Sequence, residues 1–240
     1  MLDGIKSSAQ LDKGNVAFAL GFITHIVTEN IFHPMIYYFT GNYYASDPHR
    51  RSQNIASHRY LETFLDLFLI RSFRRKVEEL DLGKIIFIPL PKRRPVFSFY
   101  ASILSDVSGD SPETIRSGLD RAYPSLLFLN RLFSRKGFYY LLKLFNLLDH
   151  ERISPYLQLF YPPGGNPLPS LFTSPFTYRN PVSGEEISTS MQDLNREATT
   201  AGAESIIDAY RYLNDGTDDS FLHKIKIMEG EMRYFSSIQF

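Results

Sequence analysis

The feature that most constrains the fold is a long apolar segment, residues 15–39, which carries titratable groups at a helical spacing. Apolar residues fill most of its positions, which predicts one long helix buried on nearly all sides. Proline lacks the N–H that a helix interior needs, so Pro34 is expected to end or kink the helix near His33. Polar residues interrupt the segment before it reaches the about 18 apolar residues of a membrane span, so no transmembrane segment is predicted.

Two sets of histidines and carboxylates repeat every four residues. A step of four residues turns a helix by only about 40° beyond a full turn, so each set is expected to form one stripe. One stripe belongs to the first helix and the other to a second helix predicted over residues 55–80. The stripes are His25, Glu29 and His33, and His58, Glu62 and Asp66.

Packing of the two helices would bring these imidazoles and carboxylates together inside a bundle, as in known helical metal sites. Such a mixed donor set suits zinc, with iron, manganese or nickel left open. The alternative is that each pair is a simple contact along a helix face. Asp66 is interpreted as a residue that orients a ligand imidazole. His49 is expected in solvent, with a reach to the site from a loop as the alternative. His150 and His223 are expected to be structural or surface residues.

The remaining pattern predicts an all-α, multi-helix bundle with long Pro/Gly-rich loops. Residues 1–14 are interpreted as a leader, 15–215 as a single helical domain and 216–240 as an extended tail. Within the domain, the expected elements are a loop at 41–53, an extended proline-rich segment at 84–97, a helix starting after Ser111, a helix at 125–149, a loop at 161–186 and a final helix at 188–215.

Charge and cysteine content exclude several classes of function. Lysine plus arginine equals aspartate plus glutamate at 26 each, which argues against a nucleic-acid partner bound by bulk charge. The absence of cysteine excludes disulfides, thiol catalysis and iron–sulfur clusters. The polar start, MLDGIKSSAQLDKG, predicts no signal peptide and therefore a cytoplasmic protein. Two basic clusters, RSFRRK and PKRRP, are expected to be solvated, with phosphate or a peripheral membrane contact as the alternative.

The two stripes lie in an order that resembles the zinc-dependent phospholipase C family, also called the phospholipase C/D fold. That family carries roughly G-[FY]-x-x-H-x-x-x-D-x-x-x-H-P, followed by H-x-x-x-E. The matching positions here are Gly21, Phe22, His25, Glu29, His33, Pro34, His58 and Glu62. The match covers about residues 15–70, and a looser one covers residues 175–213, where YRNPVSGEEISTSMQDLNREA resembles a family loop followed by a helix.

The resemblance implies an all-α bundle around up to three zinc ions, hydrolysis of phosphodiesters, and a phospholipid head group as substrate. It implies that His25 and Glu29 hold one zinc ion, with Glu29 able to bridge to another. It implies that His33, His58 and Glu62 hold the second.

The sequence departs from the family pattern at two points. Glu29 stands where the family usually has aspartate, and the extra methylene moves its carboxylate by roughly 1.5 Å. Only 24 residues precede His25, without a histidine among them, although the family takes further ligands from upstream. No catalytic base is assigned for this reason. The alternative function is therefore a truncated or inactive family member that acts as a binding or structural module.

Overall fold

The computed structural model describes residues 13–79, 82–133, 135–162 and 168–215. Over these residues the chain is all-α, as the sequence predicts, with one small two-stranded sheet. The helices are α1 (Lys13–Thr40), α2 (Pro48–Ser72), α3 (Leu82–Ile85), α4 (Leu90–Ser108), α5 (Pro112–Phe133), α6 (Lys136–Asn146), α7 (His150–Leu157) and α8 (Met191–Asp215). The strands are β1 (Phe176–Arg179) and β2 (Glu186–Thr189). Most of the predicted leader and all of the predicted tail lie outside the described residues.

Helix α1 is the centre of the bundle, because it packs against α2, α4, α8 and β1. Its first half contacts the end of α8, where Ile23 and Val27 meet Tyr212 and Leu213. Its second half forms the main core with α2, β1, the start of α8 and a 3-10 turn at Ser170–Phe172. The side chains buried in that core are Phe32, Met35, Ile36, Leu61, Phe64, Leu67, Phe68, Val77, Phe172, Tyr178, Met191, Leu194 and Ala198.

Among the described helices, α1 alone is long and apolar enough to cross a membrane by length and composition. A core helix or an N-terminal signal sequence meets the same criterion. Only 28% of its most apolar window is buried, so the prediction of a helix buried on nearly all sides is wrong. The absence of a transmembrane segment stays a prediction, and the contacts of α1 with three helices are those of a core helix.

Pro34 does not end α1, because the helix continues to Thr40, whereas the kink that the sequence offered as the other outcome stays a prediction. An interior proline leaves one backbone carbonyl without its helical donor, at a cost of about 3 kcal/mol. Burial of the following turn offsets this cost, since Pro34, Met35 and Ile36 are all buried in or beside the main core.

Local hydrogen bonds move several helix boundaries away from their predicted positions. Helix α2 begins seven residues earlier than predicted because the Asp47 side chain accepts hydrogen bonds from the backbone N–H groups of His49 and Arg50. It ends at Ser72 rather than at residue 80. The helix predicted after Ser111 is confirmed, with the Ser111 hydroxyl accepting from the N–H of Thr114.

The segment at 84–97, predicted to be extended, is largely helical. Pro91 falls in the first turn of α4, where its missing N–H costs little. Val96 and Phe97 are buried against Tyr123 of α5, which favours continuation of the helix through Pro95. The single helix predicted at 125–149 is instead divided into the end of α5 and α6.

The long loop predicted at 161–186 contains a hairpin that the sequence analysis missed. Strands β1 and β2 pair with Tyr178 opposite Ile187. The connecting turn is closed by the Asn180 side chain, and Gly184 adopts a positive φ of 73°. Tyr178 is buried in the main core and β1 packs against α1, so the hairpin is anchored on that helix. Helix α8 then starts at Met191 with Ser190 as its cap, three residues later than the predicted start at residue 188.

Candidate metal centre

Two predicted ligand stripes lie beside the contact between α1 and α2. The i, i+4 spacing places His25, Glu29 and His33 along α1, and His58 and Glu62 along α2. The apolar neighbours of each stripe fill the main core between the same two helices. The core packing therefore fixes the separation of the two stripes.

Three of the five predicted ligands converge. The Glu62 Oε1 atom lies 3.2 Å from His58 Nε2 and 3.9 Å from His33 Nε2. Within the described ranges, this is the single group of three or more histidine, aspartate or glutamate side chains whose ligand atoms all lie within 4.8 Å of one another. Donor atoms bound at about 2.1 Å to one ion in tetrahedral geometry lie about 3.4 Å apart, so this cluster could hold a metal ion after small side-chain movements.

The cluster is closed on one side and open on the other. The His58 side chain is only 7% exposed, whereas that of Glu62 is 44% exposed. The rings of Tyr37 and Tyr43 contact the His58 ring edge to face, with centroid distances of 5.4 and 5.1 Å. These contacts hold the imidazole in place, while the Glu62 side of the cluster faces solvent.

Tyr37 continues the α1 stripe by one further step of four residues. Its ring contacts those of both His33 and His58 at 5.4 Å. Burial and the negative charges nearby, including Glu29 and Glu62, raise the pKa of Tyr37 to about 12. Sequence reasoning did not assign Tyr37 to the site, although its four-residue spacing from His33 is the signal that could have placed it there.

Glu29 adjoins the cluster through His33. Its Oε2 atom lies 2.5 Å from His33 Nε2, the same nitrogen that faces Glu62. Burial acts to raise the pKa of Glu29, but the His33 hydrogen bond and the charges of three histidines outweigh burial and lower it below its usual value. Glu29 is therefore an anion at neutral pH beside the nitrogen that a metal would take.

His25 lies at the outer end of the α1 stripe. Its side chain is 62% exposed, and its Nδ1 atom is 3.6 Å from Glu29 Oε1. It does not belong to the converged group of three. The assignment of His25 and Glu29 to a separate zinc ion stays a prediction.

The other histidines that sequence reasoning considered lie elsewhere. His49, on the first turn of α2, contacts Glu151 and Gln53 with an exposed side chain. His150 contacts Asn146. His223 falls outside the described residues.

The buried His58 ring lacks one expected support. Among the described residues, nothing accepts or donates a hydrogen bond at His58 Nδ1. Ligand histidines in metal sites usually donate this second N–H to a carboxylate, a carbonyl or water. Asp66, interpreted from the sequence as such a support, instead accepts a hydrogen bond of 2.7 Å from the Tyr161 hydroxyl.

Tyr161→Phe tests the contact between α2 and the segment after α7. The pKa of Asp66 is raised, mainly because the carboxyl group has lost part of its hydration. The Glu62 charge raises this pKa as well, and the Tyr161 hydrogen bond lowers it without cancelling the increase. A carboxyl group whose pKa is raised in the folded protein costs stability as the pH rises through that pKa. Loss of the hydroxyl raises this pKa further, so the variant should lose about 1 kcal/mol at pH 7, after allowance for solvent screening.

The same loss should shrink as the pH falls, because Asp66, whose pKa is raised in the folded protein, is then increasingly protonated and the Tyr161 hydroxyl no longer stabilises a charge. Urea unfolding near pH 7 and about pH 4, in chelator, measures the difference. Tyr156→Phe is the control, because its side chain is exposed on α7. An equal loss at both pH values would contradict the role given to the Asp66 carboxylate.

Comparison with known proteins returns no matching family model, no matching curated protein and no matching solved structure.

Proposed function

We propose that the chain is a zinc-dependent hydrolase of phosphodiesters, of the phospholipase C type that its motifs resemble. The observation that supports this most is the convergence of His33, His58 and Glu62 within 4.8 Å at a contact between two helices. Two imidazoles and one carboxylate are the ligand types found in catalytic zinc sites, which keep a further position open.

Each of the three proposed ligands has a role that follows from its position in the site. His58, held by Tyr37 and Tyr43, provides the closed side of the site. His33 and Glu62 complete the donor set, and the exposed Glu62 edge leaves room for a phosphodiester. When bound, zinc supplies Lewis-acid activation of water and stabilisation of charge on phosphoryl oxygens.

Glu29 occupies the nitrogen of His33 that the metal would take. In the metal-free protein its anionic carboxylate accepts a hydrogen bond from His33 Nε2. Zinc would replace this hydrogen bond, and because a ligand nitrogen must be free of its proton, zinc binding should weaken on acidification. No catalytic base is assigned, because the residues of the cluster are all used as donors or as supports.

A second candidate function is a metal-binding module without catalysis. One observation favours it: the described residues assemble one group of three donors, which is sufficient for one ion. The phospholipase C resemblance implies two or three ions, which would need donors beyond this group. Metal content and activity together separate the two candidates.

Glu62→Gln is the variant that tests the proposal. The wild-type chain should bind about one zinc ion and hydrolyse bis(p-nitrophenyl) phosphate or phosphatidylcholine. Loss of a group that only hydrogen-bonds a metal ligand costs about 10–100-fold in metal affinity or activity. Loss of a ligand carboxylate should cost at least as much. Elemental mass spectrometry after dialysis and a hydrolysis assay measure both quantities.

Glu151→Gln is the matched control, since Glu151 also pairs with a histidine but at an exposed position away from the cluster. It should keep zinc and activity. One bound zinc ion without any hydrolysis would establish the non-catalytic module. No bound zinc in the folded wild-type chain would contradict both candidates.

A further inference from the structure

A large apolar surface covers the end of α5, all of α6 and the turn into α7. We name it the α5–α7 face. Seven of the eleven residues of α6 are aromatic or leucine, yet none of its residues is buried. Residues at 126, 128 and 129 extend the exposed apolar surface onto α5. Contiguous exposed apolar surface of this kind marks an interaction site.

Positive charge is concentrated on the same stretch of chain. Residues 121–148 contain no aspartate or glutamate, although the chain as a whole is neutral. The basic residues are all exposed, and they are Arg121, Arg131, Arg135, Lys136 and Lys143. Leucine and aromatic side chains interleaved with lysine and arginine are typical of helices that lie in the interface of an anionic membrane.

The turn between α6 and α7 forms an apolar tip. Leu147 and Leu148 are 79% and 81% exposed. Their backbone N–H groups donate to the carbonyl oxygens of Leu144 and Phe145. Both N–H groups are therefore already hydrogen-bonded within the turn. The tip can enter the acyl boundary of a bilayer without leaving these N–H groups unpaired in hydrocarbon.

Charge also argues against a second copy of the chain as the occupant. A two-fold symmetric dimer places the same patch of both copies in contact. The basic residues of one copy would then face those of the other, with no acidic residue in 121–148 to compensate. We infer that the α5–α7 face docks the chain on the surface of an anionic phospholipid membrane.

Helix α7 connects this face to the helix that carries His58 and Glu62. Arg59 donates to the Pro155 carbonyl at 2.8 Å, and Thr63 donates to the Gln158 carbonyl at 2.6 Å. Membrane docking would thus hold α2 in a defined orientation to the lipid surface. The inference stands without the metal site, and its test uses chelator so that the two proposals fail separately.

Leu147→Asp/Leu148→Asp tests the docking. The full chain is sedimented in chelator with vesicles of phosphatidylcholine, with and without phosphatidylglycerol. The wild type should bind the anionic vesicles, and the double variant should bind at least about tenfold more weakly, because two leucines no longer enter the bilayer. Ile206→Asp/Ile207→Asp on α8 is the matched control and should bind as the wild type does, because these isoleucines are also exposed.

Arg135→Gln/Lys143→Gln provides a second, independent variant that adds no charge to the apolar tip. Each lost charge should weaken binding to anionic vesicles about fivefold, and added salt should reduce the difference from the wild type. Circular dichroism checks that all variants are folded. Failure of the wild type to bind anionic vesicles, or wild-type binding by the leucine variant, would overturn the inference. A dimer that depends on Leu147 and Leu148, without vesicle binding, would overturn it in favour of a second copy.

Discussion

His58→Ala is expected to abolish zinc binding and to give the largest loss of stability among single changes at the site. The side chain is only 7% exposed and is packed against Tyr37 and Tyr43. Its removal leaves a cavity, at a cost of about 2–4 kcal/mol even without metal. At a free zinc concentration of about 100 times the dissociation constant, the wild type gains a further 2.7 kcal/mol that the variant lacks.

The experiment compares unfolding of both proteins in zinc and in chelator. Zinc should raise the melting temperature of the wild type and leave that of His58→Ala unchanged. His49→Ala is the matched control, because His49 lies on the same helix with an exposed side chain. It should respond to zinc as the wild type does. An equal zinc effect in His58→Ala and in the wild type would show that His58 is not a ligand.

The spacing of residues predicted most of this site. Residues four apart lie on the same face of a helix regardless of tertiary contacts. The stripes of α1 and α2 could therefore be predicted from the sequence alone. Their convergence depended on the packing of α1 against α2, which the apolar residues on both helices favoured. The sequence could not predict that His25 would lie at the exposed end of its stripe, because that depends on where the packed contact stops.

The all-α fold class could also be predicted from the sequence, but the structure of the proline-rich segments could not. Composition alone made residues 84–97 look extended and residues 161–186 look like loop. In the structure, Pro91 and Pro95 occupy a helix because Val96 and Phe97 bury their side chains against Tyr123. The hairpin forms because Tyr178 reaches the main core. Both outcomes depend on contacts between segments that are distant in sequence, and local propensity does not contain that information.

Phe172→Ala is expected to destabilise the chain by about 3–5 kcal/mol. Phe172 is 1% exposed and lies in the main core. Its ring contacts Phe64 and Phe68 of α2 at centroid distances of 6.3 and 6.0 Å. The residue belongs to the segment that sequence composition assigned to a loop, so the prediction tests whether that segment is an integral part of the core.

Urea unfolding at neutral pH measures the change, with Phe128→Ala as the matched control. The Phe128 ring is 60% exposed on the α5–α7 face, so its removal should change the free energy of unfolding by no more than about 0.5 kcal/mol. The loss in Phe172→Ala should appear equally in zinc and in chelator, because its ring contacts are with Phe64 and Phe68, neither of which is a proposed ligand. Equal, small effects of the two substitutions would mean that the 168–175 segment does not stabilise α2.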